Sequence, residues 1–270
     1  MSDLTHAERR ARGLDVLQKL TGTDDPAKAA QGLEDRNGAL GSFTIDFALG
    51  DIWSRPGVSR RDRSLIVITI LASLNQLTQL KVHVRGAINH GMTPEEVREV
   101  FTHLCAYIGF PRALDAMRIA NEVLVEMGFA PKDGKLAPSA KQSQMQRRKV
   151  GYEALVKVSD NMSTGGFEKF VPTMETQLGP LAQYAVDFVY GDVWARPQLS
   201  PRDRSLLVIS SLGALGREYE LKHYHIPGAY RNGLTRAEID EFIVTLAAYA
   251  GFPFAVDVTL IVVALAAEQK

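Results

Sequence analysis

The sequence predicts an all-α protein made of two tandem copies of one helical unit. Three observations carry this. The stretch "DIWSRPGVSRRDRS" at 51–64 returns as "DVWARPQLSPRDRS" at 192–205, and from Asp51 to Leu74 against Asp192 to Leu215, 14 of 24 positions are identical. Chance would give about one or two matches, so this is an internal duplication. Helix-start signals recur in the same order in both halves. No segment shows the period-2 alternation of a half-buried strand.

Each half opens on an amphipathic stretch, "ERRARGLDVLQKLTG" and "RRKVGYEALVKVSD". Next come "GSFTIDFALGDIW" and "LAQYAVDFVYGDVW", which share Asp-Phe and Gly-Asp-x-Trp. Ser59-x-x-Asp62 and Ser200-Pro201-x-Asp203 read as capping boxes, with Ser at N-cap, Asp at N3 and Pro201 at the tolerated N1 position. They open "RSLIVITILASL" and "RSLLVISSLGAL", apolar nearly all round and therefore expected at the centre of each half. The following helices carry "QLKVHVRGAINHG" and "ELKHYHIPGAYRNG". Thr93 with Glu96 and Thr235 with Glu238 form capping boxes for the next pair. That pair ends at Gly109 and Gly251, expected as left-handed caps, and Phe-Pro starts the last helix of each half. The domain expectation is a first repeat over 1–129, a linker over 130–147 and a second repeat over 148–270.

The offset between the halves changes from 141 at Leu80/Leu221 to 142 at His83/His225. One extra residue sits in "KHYHIP", where Pro227 disfavours α geometry at Ile226. The second half is expected to depart from the first there.

Composition narrows the function. Lys+Arg and Asp+Glu are both 31, so the net charge is zero, which argues against nucleic-acid or anionic-membrane partners. One cysteine, Cys105, allows no Cys-x-x-Cys redox or zinc site and reads as a core thiol. The N-terminus has no apolar leader segment, and Asp257 interrupts the most apolar stretch, so a cytoplasmic protein is expected.

Arg63 and Arg204 sit in the first turn of a buried helix, where a cation opposes the helix dipole. Either each is ion-paired with Asp46, Asp51 or their counterparts, or each anchors a substrate carboxylate with its guanidinium fork. Arg55 and Arg196 carry the same two readings. Trp53 and Trp194 are core or interface aromatics that could also line a site. His83 shares a helix face with Gln76, Gln79, Ala87 and His90, whereas Arg85 lies about 200° further round. Glu220 and His223 stand at i,i+3 and are expected to face together as an acid–base pair, with His225 beside them. A Glu-x-x-His metal site is the alternative, but the first half has no matching pair. Tyr107 and Tyr249 recur at equal positions, either packing in the core or pointing a hydroxyl into a pocket.

Gly-Asp-x-Trp-x-Arg-Pro, Arg-Asp-Arg-Ser-Leu, His83-Val-Arg85-x-Ala and Ala-Tyr-x-Gly-x-Pro together resemble the carboxymuconolactone decarboxylase family, within the alkylhydroperoxidase D-like superfamily. The resemblance covers about 10–128 and 148–268. It implies a compact helical fold. Because single-repeat members form six-membered rings, it also implies a homotrimer imitating such a ring. The peroxidase branch needs Cys-x-x-Cys, which this chain lacks. The decarboxylase branch carries an acidic run before His-Val-Arg; here the first half has Leu77-Thr78-Gln79, while the second has Glu218 and Glu220 but His225-Ile-Pro. The implied activity is a lyase, with no cofactor or metal, that decarboxylates a small cyclic carboxylate such as 4-carboxymuconolactone in aromatic-compound catabolism. Arg63, Arg85 and Arg204 would anchor the substrate beside Trp53 and Trp194. His83, Glu220, His223 and His225 would supply the proton. Cofactor-free isomerisation or cyclisation of a related ring, or a non-catalytic helical assembly, are the alternatives.

Overall fold

Ser59 and Ser200 accept hydrogen bonds from the Asp62 and Asp203 amides, so the two most apolar helices start where their sequence places them. The chain is described by a computed structural model over residues 4–130, 142–158 and 166–268. In the first repeat, α1 (His6–Thr21), α2 (Pro26–Asn37) and α3 (Ala39–Phe43) lead into a π-helix, π1 (Thr44–Trp53). Helices α4 (Arg60–Ser73), α5 (Leu77–Asn89), α6 (Pro94–Ile108) and α7 (Phe110–Glu126) follow. The second repeat runs α8 (Gln144–Val158), α9 (Phe167–Leu178), α10 (Leu181–Tyr184) and π2 (Ala185–Trp194). It continues with α11 (Pro201–Ala214), α12 (Glu218–Glu220), π3 (Leu221–His225), α13 (Ile226–Arg231), α14 (Arg236–Tyr249) and α15 (Phe252–Glu268). Among the described residues there are no strands. Helix α8 begins inside the stretch expected to be linker, of which 131–141 lie outside the described residues, as do 159 and 160 of the expected first helix of the second half.

The two central helices hold the molecule together. Every residue of α4 from Asp62 to Ser73 is buried, and so is every residue of α11 from Asp203 to Ala214. They pack on each other, with Ser73 Oγ donating to Ser211 Oγ at 2.9 Å. One core spans both repeats, and a smaller cluster around Phe170 and Met174 lies under α8–α10; each fully buried Leu or Ile contributes about 1.5–3 kcal/mol.

The repeats are related by an internal two-fold. Arg61 donates to Asp203 and Glu96, and its counterpart Arg202 donates to Asp62 and Glu238. This reciprocity is the signature of an isologous interface, here within one chain.

Packing of α1 on π1 requires glycine. A Cβ on Gly13 would collide with the Ile45 carbonyl oxygen, and one on Gly151 with the Val186 carbonyl oxygen. The expectation at Gly109 needs correction. Its φ of 81° is positive, but ψ is 158°, outside the left-handed helical region. It passes the chain straight into α7, for which it also serves as N-cap residue.

The extra residue of the second half is absorbed by π3, which spans Leu221–His225. A π-turn accommodates one inserted residue without breaking the helix, and Pro227 falls in the first turn of α13, where a missing N–H is tolerated. The halves therefore stay in register on both sides of the insertion, and His225 occupies the place of His83.

Candidate functional site

The internal two-fold generates two aromatic boxes, each built from both repeats. In the first, π1 supplies Trp53, α5 supplies His83 and His90, and α14 supplies Tyr249. His83 and His90 are seven residues apart and so share a helix face. Trp53 Nε1 donates to Tyr249 Oη at 2.7 Å, and Tyr249 Oη lies 3.4 Å from His83 Nε2. The indole packs on both imidazoles, with ring centroids 5.9 Å from His83 and 5.2 Å from His90. In the second box π2 supplies Trp194, π3 supplies His225 and α6 supplies Tyr107 and His103. Trp194 Nε1 donates to Tyr107 Oη at 2.9 Å, and the Tyr107 ring stands edge-on to His225 at 5.9 Å.

Beneath each box lies a buried ion pair that crosses the repeats. Arg63, 0% exposed, donates to Glu241 Oε2 at 2.9 Å and to Thr245 Oγ1 at 2.7 Å. Arg55 approaches the same carboxylate with Nε and Nη2. In the other half Glu99 receives Arg204 at 2.8 Å and Arg196 at 2.8 Å. Burial alone would raise the Glu241 carboxyl, but hydrogen bonds from Arg55 and Arg63 hold it below the usual carboxylate range. Two guanidiniums on the single Glu241 carboxylate leave an excess positive charge beside the first box.

The imidazoles are neutral. Burial, reinforced by His90, lowers His83 to about 3, and burial lowers His225 to about 4 against the opposing pull of Glu220. Burial likewise takes His90 to about 4. It raises both Tyr107 and Tyr249 above the ordinary phenol value, so each hydroxyl keeps its proton. Several buried donors or acceptors have no partner in the described structure: Arg63 Nε, His83 Nδ1 and His90 Nε2 around the first box, Arg204 Nε and His103 Nε2 around the second.

The residues singled out from the sequence are thus partly gathered and partly dispersed. Trp53, His83 and Arg63 meet in one box and its base, and Trp194, His225 and Arg204 in the other. Both arginines are ion-paired, but to Glu241 and Glu99; Asp46 is occupied by His6 and Arg10, and Asp51 lies 3.8 Å from Arg9. Arg85 points away to Glu126. Glu220 and His223 do not pair. Glu220 binds Arg217, and the exposed His223 ring packs on Tyr219. The wider π-turn brings i+5 rather than i+3 over Glu220, which is why its charge acts on His225. Cys105 is half-buried, its thiol raised by burial and by Glu99. A separate cleft of about 630 Å³ between α1 and π1, lined by His6, Arg9, Asp46 and Phe47 among others, contains none of the box residues.

Three residues escaped the sequence reading: Glu99, Glu241 and His103. A usable signal was present. Glu99, His103 and Tyr107 stand at i, i+4 and i+8, as do Glu241, Thr245 and Tyr249, so each trio runs as one polar stripe beside the apolar stripe of its helix.

Fold and geometry define a class: a helical tandem repeat whose two aromatic boxes are each assembled from both repeats. The chain belongs to the carboxymuconolactone decarboxylase family, whose model matches residues 39–122 and 180–264. It is 36% identical over 124 residues to 4-carboxymuconolactone decarboxylase of Acinetobacter baylyi, a match covering 46% of this chain and 92% of that protein. It is 29% identical over 130 residues to nitrosuccinic acid decarboxylase npaB of Metarhizium robertsii, covering 47% of this chain and 91% of that protein. Each relative thus corresponds to about half of the duplicated chain. The fold matches a candidate gamma-carboxymuconolactone decarboxylase subunit from Burkholderia xenovorans with a TM-score of 0.52 at 20% identity, covering 96% of this chain and 98% of that one.

Proposed function

We propose that the chain is a cofactor-independent decarboxylase acting on a small cyclic carboxylate such as 4-carboxymuconolactone. The observation that carries this reading is the set of buried groups without partners around Trp53: Arg63 Nε, His83 Nδ1 and His90 Nε2. Buried polar groups are rarely left without a partner in native proteins, and this set fits an anionic ligand. Two of the relatives are named as decarboxylases, one for a lactone acid and one for nitrosuccinic acid, which supports the reaction class.

The chemistry follows from the surroundings. The excess charge at Arg55, Arg63 and Glu241 attracts the substrate anion into a site with little water, where a carboxylate is poorly solvated. The arriving negative charge raises the His83 pKa, so the imidazole takes up a proton from solvent as substrate binds. The C–C bond to the carboxylate breaks, CO2 leaves, and its electron pair spreads into the conjugated lactone as a dienolate. Protonated His83 then gives its proton to the ring carbon and returns to the neutral state. The sum is one carboxylate and one proton converted to one CO2 and the protonated ring. Tyr249 and Trp53 hold the imidazole in place. His225, Tyr107 and Trp194 repeat the arrangement in the second box.

The reading extends to assembly as a homotrimer imitating a six-membered ring. Phe252, Val256, Leu260 and Val263 leave an exposed apolar stripe along α15, and Phe110 and Leu114 begin the same stripe on α7. A second copy of the chain is the occupant such faces fit.

The test is to supply 4-carboxymuconolactone and follow CO2 together with the lactone product. One CO2 per substrate is expected. Ring rearrangement without CO2 would instead support an isomerase or cyclase, and binding without turnover a non-catalytic module.

A further inference from the structure

The two boxes are not copies, and they differ in where the second imidazole sits. Around Trp53 it is His90 on α5, whose counterpart in the other repeat is Asn232. Around Trp194 it is His103 on α6, whose counterpart is Thr245. Thr245 has both hydroxyl roles filled, accepting from Arg63 Nη1 at 2.7 Å and donating to the Glu241 carbonyl oxygen at 2.8 Å. His103 is different. Arg204 Nη1 lies 2.7 Å from its Nδ1, and a guanidinium can only donate. Nδ1 must therefore carry the lone pair, which fixes the proton on Nε2.

That Nε2–H is buried and without a partner, and so is the Nε–H of Arg204. The ring is 0% exposed, stacked on Tyr107 at 5.6 Å and 13°, and tilted 72° to Trp194 at 5.1 Å. It stays neutral because burial disfavours the cation, as do Arg204, His225 and Arg196 around it. Two donors linked through one hydrogen bond, neither of them serving the protein itself, make a receptor for oxygen acceptors.

We infer that His103 is a binding residue of the Trp194 box, donating its Nε2–H to a carboxylate or carbonyl oxygen of a small acid, and that the Trp53 box, lacking this contact, binds the same acid with a different affinity. This rests on the reading of both boxes as sites for small carboxylates. The duplicated chain then holds two sites of unequal affinity.

The experiment is calorimetric titration of the full chain with 5-oxotetrahydrofuran-2-carboxylate, a saturated lactone acid with no conjugation to accept the electron pair. The wild-type chain should show two classes of site. His103→Thr, which installs the residue of the other repeat, should weaken one class by about 10-fold or more and leave the other unchanged. His103→Gln should keep most of the affinity, since its amide oxygen can accept from Arg204 while its NH2 donates to the ligand; it also serves if the threonine variant fails to fold. A single class or no binding in the wild-type chain would overturn the inference. So would two unchanged classes in His103→Thr, or equal weakening in both variants. CO2 release with one class of site would sink this inference alone. Two classes without CO2 release would sink the decarboxylase reading and leave the His103 contact standing.

Discussion

His83 and His225 have been stripped of their charge by burial, and that has a consequence for stability. In the unfolded chain both would titrate near the ordinary 6.5, while in the folded chain they titrate at about 3 and about 4. Between those limits the unfolded state binds more protons than the native one, so stability falls as pH falls. Their contribution is complete above about pH 6.5 and is lost on the way down to about 4 and then 3. Denaturant melts should lose on the order of 1.4 kcal/mol per pH unit for each histidine in that window, and His83→Phe should flatten the slope. An unchanged slope in that variant would show that the imidazole is not held neutral. Glu241 makes a second test at this scale. Replacing it by Gln leaves Arg63 buried and short of its counter-charge, so a loss of about 3–5 kcal/mol is expected in the same melts. Loss below about 1 kcal/mol would mean that the pair is solvated like a surface bridge.

Among the elements, the contact of α1 with π1 and its repeat in α8 with π2 make the sharpest demand on sequence. Gly151→Ala would push a methyl into the Val186 carbonyl oxygen, a backbone atom that cannot turn aside. Overpacking of this kind costs about 1–3 kcal/mol, and Gly13→Ala should cost a similar amount; thermal melting of the two variants checks both. The helices themselves were legible where their caps are explicit. Thr93 and Thr235 form the capping boxes read for them, while Ser59 and Ser200 cap through the Asp62 and Asp203 amides alone, without the return bond that a capping box adds. Four elements were not legible as such: α2, α9 with Pro172 inside it, and the π-helices π1 and π2 before the two Trp-x-Arg-Pro turns. A π-helix has no residue signature of its own beyond an unbalanced register. That imbalance was visible only at Leu221–His225, where the second copy could be counted against the first.

At the scale of the whole molecule, the duplication could be read from the sequence but the crossing could not. Arg63 faces Glu241, and Trp53 faces Tyr249, across 178 and 196 residues. Spacing along one repeat could pair them only with neighbours such as Asp46, and the true partners follow from the two-fold packing of α4 on α11. The same two-fold leaves the apolar faces of α7 and α15 uncovered. Sedimentation should therefore give about three times 29.7 kDa, and a stable monomer at micromolar concentration would contradict the ring. The central claim is that each site takes its histidine from one repeat and its tyrosine from the other. Two double variants test it through CO2 release from 4-carboxymuconolactone. His83→Ala with Tyr249→Phe strikes one box twice, so its rate should match that of His83→Ala alone. His83→Ala with Tyr107→Phe strikes both boxes and should fall well below either single variant. The reverse pattern, with the Tyr107 pair resembling His83→Ala and the Tyr249 pair collapsing, would place each site within a single repeat and contradict the account.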